Sequence, residues 1–389
     1  MVSKYISQAM EQSSWIRKMF EVGKEMKLSY GAENVFDLSL GNPILEPPPE
    51  FFNVFQKIAT NTSSGKHRYM SNAGFEDVRE KVALYLRQKH FFSDIEMKHV
   101  IMSCGAGGAI NVILKTIIDP GDEVVIMAPY FSEYIFYIHN QNGKVVVADT
   151  DEKFDLDLNE LERKITPRTK ALIINSPNNP TGRVYPKKKL MDLVMLLKDR
   201  QKKFQKQIYV ISDEPYREIV FDGLKVTSMV SLYENSFMAY SWSKSLALPG
   251  DRIGYIAVNP GMHEVNKVID GLIFSTRILG FINATAVMQL AVGELLHATV
   301  KVNYYEVKRD YIYKKLVNAG YEIVRPEGTF YMFPKAPGGD DLAFIQKAKE
   351  KRVLVVPGLG FGRAGYIRIS YCVDDRTIEK GLDQLVELV

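Results

Sequence analysis

Short, nearly continuous apolar runs recur along the chain at residues 100–103, 124–128, 144–148, 171–175, 208–211, 237–241 and 253–258. Between them lie longer stretches with helical spacing of apolar and polar positions. A strand covered by helices on both faces has no wet side, so it reads as a block of apolar residues rather than an alternation. The pattern predicts an α/β fold, with a mainly parallel seven-stranded sheet between helices. Before these runs, Trp15, Ile16, Met19, Phe20 and Met26 recur near helical spacing and stop at Gly31, which predicts an amphipathic N-terminal helix or arm. Pro47-Pro48-Pro49 marks a boundary. Beyond residue 280 a helical segment leads to strand-like runs at 329–333, 353–356 and 366–371, a smaller α+β unit. The expected division is 1–46 as arm and small-domain segment, 47–280 as the large domain and 281–389 as the small C-terminal domain.

Composition supports full cores: of 389 residues, 46% are hydrophobic. The net charge is only +4, and the basic clusters (Lys187 to Lys189, and 198–206) fall on polar helix and loop surface, which argues against a nucleic-acid partner. Cys104 and Cys372 lie in apolar, strand-like segments without C-x-x-C spacing, unlike a disulfide framework or a zinc site. A reducing cytoplasm is the expected compartment. No uncharged apolar run reaches the length of about 18 residues that a membrane span needs.

Candidate chemistry centres on Ser241-Trp242-Ser243-Lys244, followed by Gly250, Asp251, Arg252 and Gly254. A lysine amine forms Schiff bases with carbonyl compounds, and two hydroxyls with an arginine fork suit a phosphate dianion. A lone lysine is ordinarily a solvated surface residue, so its partners matter. The run from Val100 through Gly105-Ala106-Gly107-Gly108 passes from strand through a glycine turn into a helix, where free backbone N–H groups make a phosphate cradle; a plain structural turn has the same composition. Asp213, in Ser212-Asp213-Glu214-Pro215-Tyr216, follows a strand and is either a helix cap or a partner for a cationic ring nitrogen. At about 4 Å and an effective dielectric of about 20, that pairing is worth roughly 4 kcal/mol. Asn179-Pro180-Thr181-Gly182 reads as a loop, or as a platform for the Asn179 amide. In Tyr366-Ile367-Arg368-Ile369-Ser370, alternation sets Arg368 opposite its apolar neighbours, on a solvated face or as a carboxylate clamp.

Together these motifs resemble the class I and II aminotransferases, the pyridoxal-phosphate group of the aspartate-aminotransferase fold, from Asp37 to near the C-terminus. N-P-T-G is met at Asn179 to Gly182, D-x-x-Y at Asp213 and Tyr216, S-x-S-K at Ser241 to Lys244 with Arg252 beyond, and R-[IVL]-S at Arg368 to Ser370. The resemblance implies that Lys244 carries pyridoxal 5'-phosphate, Asp213 pairs with its ring nitrogen, and Tyr216 and Asn179 bond its phenolate oxygen. Gly105, Ala106, Gly107, Ser241, Ser243 and Arg252 would hold the phosphate, with Tyr69 arriving from a neighbouring subunit of a homodimer. Phe131 would stack on the ring, where many relatives have Trp or Tyr. Gly41, Asn179 and Arg368 would bind the substrate carboxylate. The implied reaction is amino transfer from an L-amino acid to a 2-oxo acid by ping-pong kinetics, with aspartate or glutamate and 2-oxoglutarate as the first expectation and Arg277 as a reader of the distal carboxylate. Gly107 stands where some bacterial aspartate-specific relatives have a lysine. A carbon–sulfur β-lyase of the same fold is the alternative.

Overall fold

The computed structural model describes residues 2–11, 15–63, 65–89 and 91–389. Twelve strands occur among them: β1 (Phe36–Asp37), β2 (Val100–Ser103), β3 (Glu123–Ala128), β4 (Lys144–Asp149), β5 (Thr169–Asn175), β6 (Tyr209–Asp213), β7 (Ser236–Ser241), β8 (Gly254–Val258), β9 (Tyr331–Met332), β10 (Val353–Leu354), β11 (Val356–Pro357) and β12 (Ile367–Ser370). Seven of them form one sheet in the order β2-β8-β7-β6-β5-β3-β4. The pairings from β7 through β4 are parallel, whereas β8 runs antiparallel to both its neighbours.

The two-sided burial expected from the apolar runs is visible in β5, whereas β4, at the edge of the sheet, is buried only at Ala148. Ala171 and Ile173 of β5 pack in the same cluster as Ile110, Ile113, Leu114 and Ile117 of the Gly105–Ile117 helix. The intervening Leu172 and Ile174 pack on the opposite face with Leu190, Leu193 and Leu197 of the Lys187–Phe204 helix. Each helix therefore turns a stripe of residues spaced three and four apart toward the sheet, and each such side chain contributes roughly 1.5–3 kcal/mol by leaving water. The Lys187–Phe204 helix starts after Pro186 and ends where Gln205 takes a left-handed conformation (φ 52°).

The N-terminal periodicity is realised as the Trp15–Tyr30 helix, preceded by a short Lys4–Glu11 helix that the pattern did not announce. Residues 353–356, expected as one strand, are two. β10 pairs in parallel with β1, and β11 pairs antiparallel with β12, so the chain changes partners at Val355. The 329–333 run shortens to β9, because Thr329 turns the chain with φ +65°. The β1–β10 pairing joins the N-terminal segment to the C-terminal one, and these segments bring Gly41 to Lys244 and Arg368 to Asn179, past the ends of the central strands. Among the described residues no helix is long and apolar enough to cross a membrane.

Candidate active site

The carboxyl ends of β5, β6 and β7, the place where parallel sheets bind ligands, carry Asn175, Asp213 and Ser241: Asn175 pairs with Asp213, and Ser241 lies two residues beyond Ala239, the β7 partner of Asp213. They open into a cavity of about 300 Å³ lined by Gly41, Ala106, Gly107, Phe131, Asn179, Asp213, Tyr216, Ser241, Ser243, Lys244, Arg252 and Arg368, joined by Ile16, Asn175, Tyr137 and Tyr331. Residues from five separate motifs thus meet in one space. Tyr69 is fully exposed and Arg277 lies exposed near the end of the Val265–Ile278 helix, its guanidinium over Phe274; neither lines this cavity.

At one end, β2 turns at Cys104 into the Gly105–Ile117 helix, so the first amides of that helix face the cavity. Gly105 has φ +71°, and a Cβ there would fall 3.0 Å from Nη2 of Arg252. Glycine is what lets the arginine fork lie against the helix start. Arg252 itself has φ +50° and is tied back by Nη1 to the Pro249 carbonyl at 3.0 Å. Ser241 caps the four-residue helix Trp242–Ser245 by accepting from the Ser243 amide, and the two hydroxyls lie 2.7 Å apart. Two hydroxyls, a guanidinium and a helix N-terminus converge, the donor set that an anion requires.

In the middle lies Lys244. Its amine donates to the Gly41 carbonyl at 2.8 Å, across 203 residues of sequence. Burial is the main reason its pKa falls to about 8; the charges of Arg368 and Arg252 lower it further, and Cys372 opposes them. Asp213 is shifted the other way, to about 7, first by burial and then by the Glu214 charge, while a hydrogen bond from Tyr134 pulls it down. Asn175 donates to the Asp213 backbone carbonyl at 3.0 Å. Oδ1 of Asp213 is buried with no hydrogen-bond partner, a costly arrangement for a carboxylate that meets no cation or donor.

At the far end, Arg368 is 1% exposed. Its Nη1 donates to Oδ1 of Asn179 at 3.1 Å and its Nη2 to the Ser39 carbonyl at 2.6 Å, while Nε has no partner. The bond to Oδ1 leaves the Asn179 amide nitrogen available as a donor. The alternation in β12 thus points Arg368 into a buried site, not onto a solvated face. Tyr134, Asn175, Tyr137 and Tyr331 are not among the site residues expected from the motifs, yet the first bonds Asp213 and the other three line the cavity. Tyrosines are common in this chain, 21 in all, and nothing in their local pattern separates these from core aromatics.

The chain belongs to the aminotransferases of class I and II, whose family model matches residues 33–385, and it is an aminotransferase. It is similar to a probable aspartate aminotransferase of Methanocaldococcus jannaschii, 32% identical over 90% of this chain and 92% of that protein. It is also similar to aromatic-amino-acid aminotransferase 2 of Thermococcus litoralis, at 33% over 98% and 96%. Among solved structures, an aminotransferase from Eubacterium rectale superposes with a TM-score of 0.95 at 36% identity, covering 100% of this chain and 98% of that one. The aspartate aminotransferase of Thermus thermophilus with maleate gives 0.86 at 27%, covering 97% of each.

Proposed function

We propose that the enzyme uses pyridoxal 5'-phosphate bound in this cavity to move the amino group of an L-amino acid to a 2-oxo acid, in two half-reactions of ping-pong type. The observation that carries the reading is the pairing, in one cavity, of a buried amine near neutral pKa with a buried carboxylate whose Oδ1 lacks a partner. The residues present fit the cofactor. Ser241, Ser243, Arg252 and the amides of Ala106 and Gly107 would hold its phosphate, Asp213 would meet its ring nitrogen, Tyr216 and Asn179 its phenolate oxygen, and Phe131 one ring face. Bound there, the cofactor would supply an aldehyde that captures the substrate amine and a ring that accepts the electron pair left by the α-proton.

The protein's share follows from its own groups. Lys244 would anchor the cofactor covalently and, once displaced by the substrate amine, move the α-proton with its Nζ. A base with a pKa near 8 is well matched to that task at neutral pH. Arg368, Asn179 and the Gly41 backbone would bind the α-carboxylate. Burial of Asp213 strengthens its pairing with a cationic partner, since little water competes.

Aspartate or glutamate with 2-oxoglutarate is the substrate pair we favour, in a cytoplasmic homodimer. Within one chain the cavity has three cationic side chains, Lys244, Arg252 and Arg368, among the described residues that line it. A distal carboxylate would then be read by Arg277 of a second copy, which would also bring its exposed Tyr69 to the phosphate. The test of the whole reading is covalent: pyridoxal phosphate should colour the protein, and borohydride should fix its mass on the peptide containing Lys244. A colourless protein with no mass added to that peptide refutes it.

A further inference from the structure

Tyr331 belongs to none of the motifs above, yet its side chain touches three of the groups that surround the carboxylate end of the cavity. On β9 it faces Ser370 of β12, which makes Arg368 its diagonal neighbour on the same face. The Arg368 guanidinium lies 4.4 Å from the centroid of the Tyr331 ring, and a second ring, Phe361, lies 4.9 Å away. Planar arginine stacks on such rings and keeps its edge for hydrogen bonding.

The hydroxyl is placed just as closely. It lies 3.1 Å from the Tyr216 hydroxyl. It also rests on Gly41, where a Cβ would come within 1.7 Å of it, so this position tolerates no side chain while the hydroxyl is there. The chain reaches this geometry through Thr329, a buried residue with φ +65°, a backbone conformation that β-branched residues rarely adopt and that clusters at functional sites.

We propose that Tyr331 is a further substrate-binding residue. Its ring holds the Arg368 fork in the plane that meets the α-carboxylate edge-on, and its hydroxyl donates a hydrogen bond to the same carboxylate beside Gly41. A carboxylate has about four lone-pair sites; a bidentate arginine fills two and leaves room for this third donor. Burial pushes the Tyr331 pKa to about 12, with the Arg368 charge opposing, so the hydroxyl keeps its proton throughout the working pH range. The inference rests on the reading of Arg368 as the carboxylate clamp.

The test uses holoenzyme loaded with pyridoxal phosphate and titrated calorimetrically with two amine-free carboxylates, succinate and 3-phenylpropanoate, in the wild type, Tyr331→Phe, Tyr331→Leu and Arg368→Ala. Tyr331→Phe keeps the ring and should weaken carboxylate binding about tenfold, the measure of one hydrogen bond to a charged group. KM for the amino donor should rise by a similar factor while kcat stays within about twofold. Tyr331→Leu, which also removes the platform, should weaken binding further. Unchanged cofactor affinity in the Phe variant, with carboxylate affinity equal to wild type, overturns this inference alone. Wild-type protein that takes up no pyridoxal phosphate overturns the reading beneath it.

Discussion

Tyr134 donates its hydroxyl proton to Oδ2 of Asp213, and the other carboxylate oxygen, Oδ1, is buried without a partner. The tyrosine thus orients the carboxylate and lowers a pKa that burial raises. Removing the hydroxyl in Tyr134→Phe should send the Asp213 pKa higher still, by about one to two units for a lost charge-assisted bond worth roughly 1.5–3 kcal/mol. Since Asp213 must be ionised to pair with a cationic ring, pyridoxal-phosphate affinity should weaken at pH 7 and recover as the pH rises. Affinity measured from pH 6 to 9 checks this, and superimposable profiles for variant and wild type would contradict it.

The same shifts link stability of the cofactor-free protein to pH. Asp213 moves from its ordinary 3.8 up to about 7, so between those values the folded state binds more protons than the unfolded chain. Its contribution is therefore fully present below about 3.8 and lost as pH rises through about 7. Lys244 moves from 10.5 down to about 8, so its contribution is present above about 10.5 and lost as pH falls through about 8. Urea midpoints of the cofactor-free wild type should fall across the first window, and Asp213→Asn should flatten that slope. An unchanged slope in the variant would show that other groups set it.

Gly105→Ala tests the anion end. A methyl group at φ +71° strains the backbone and meets the Arg252 fork at 3.0 Å, which should cost about 1 kcal/mol or more of stability. The displaced fork should weaken cofactor binding about tenfold or more, while kcat at saturating cofactor changes little. Equilibrium dialysis with pyridoxal phosphate reads the first effect and steady-state rates read the second.

Just past the end of β6, Glu214 and Arg217 form a buried ion pair at 2.6 Å, with the guanidinium 4.0 Å from the Phe91 ring centroid. Arg217→Met leaves Glu214 and Glu218 without their common cation and should destabilise the fold by about 3–5 kcal/mol, whereas Glu214→Gln leaves Arg217 still facing Glu218 and should cost less. The double variant should lose less than the sum, because neither member of the Glu214–Arg217 pair is left facing the gap of the other. Chemical denaturation of the four proteins completes the cycle, and simple additivity would mean that the pair is not coupled.

Arg368→Lys keeps the charge and removes the planar fork. Donor affinity should drop at least about tenfold, since a point ammonium cannot bond a carboxylate bidentately or stack on Tyr331. KM and kcat for the amino-donor half-reaction, compared with wild type, measure the loss.

Most of the large sheet was legible in the sequence because a strand covered on both faces must be apolar throughout, whatever its neighbours are. Ser241, Ser243 and Lys244 were legible for a related reason: one strand end and one four-residue helix present them together, so their spacing already encodes their geometry. What only the tertiary structure decided are the meetings between distant segments. The Lys244 amine on the Gly41 carbonyl, the Arg368 fork on Asn179 and the Tyr331 ring under that fork join residues up to 203 positions apart. Four apolar residues from Val353 to Val356 satisfy two short strands as well as one, so the change of partner at Val355 left no mark on the pattern. Likewise a buried tyrosine looks the same in sequence whether its hydroxyl meets Asp213 or fills a core, because the carboxylate it bonds comes from 79 residues away.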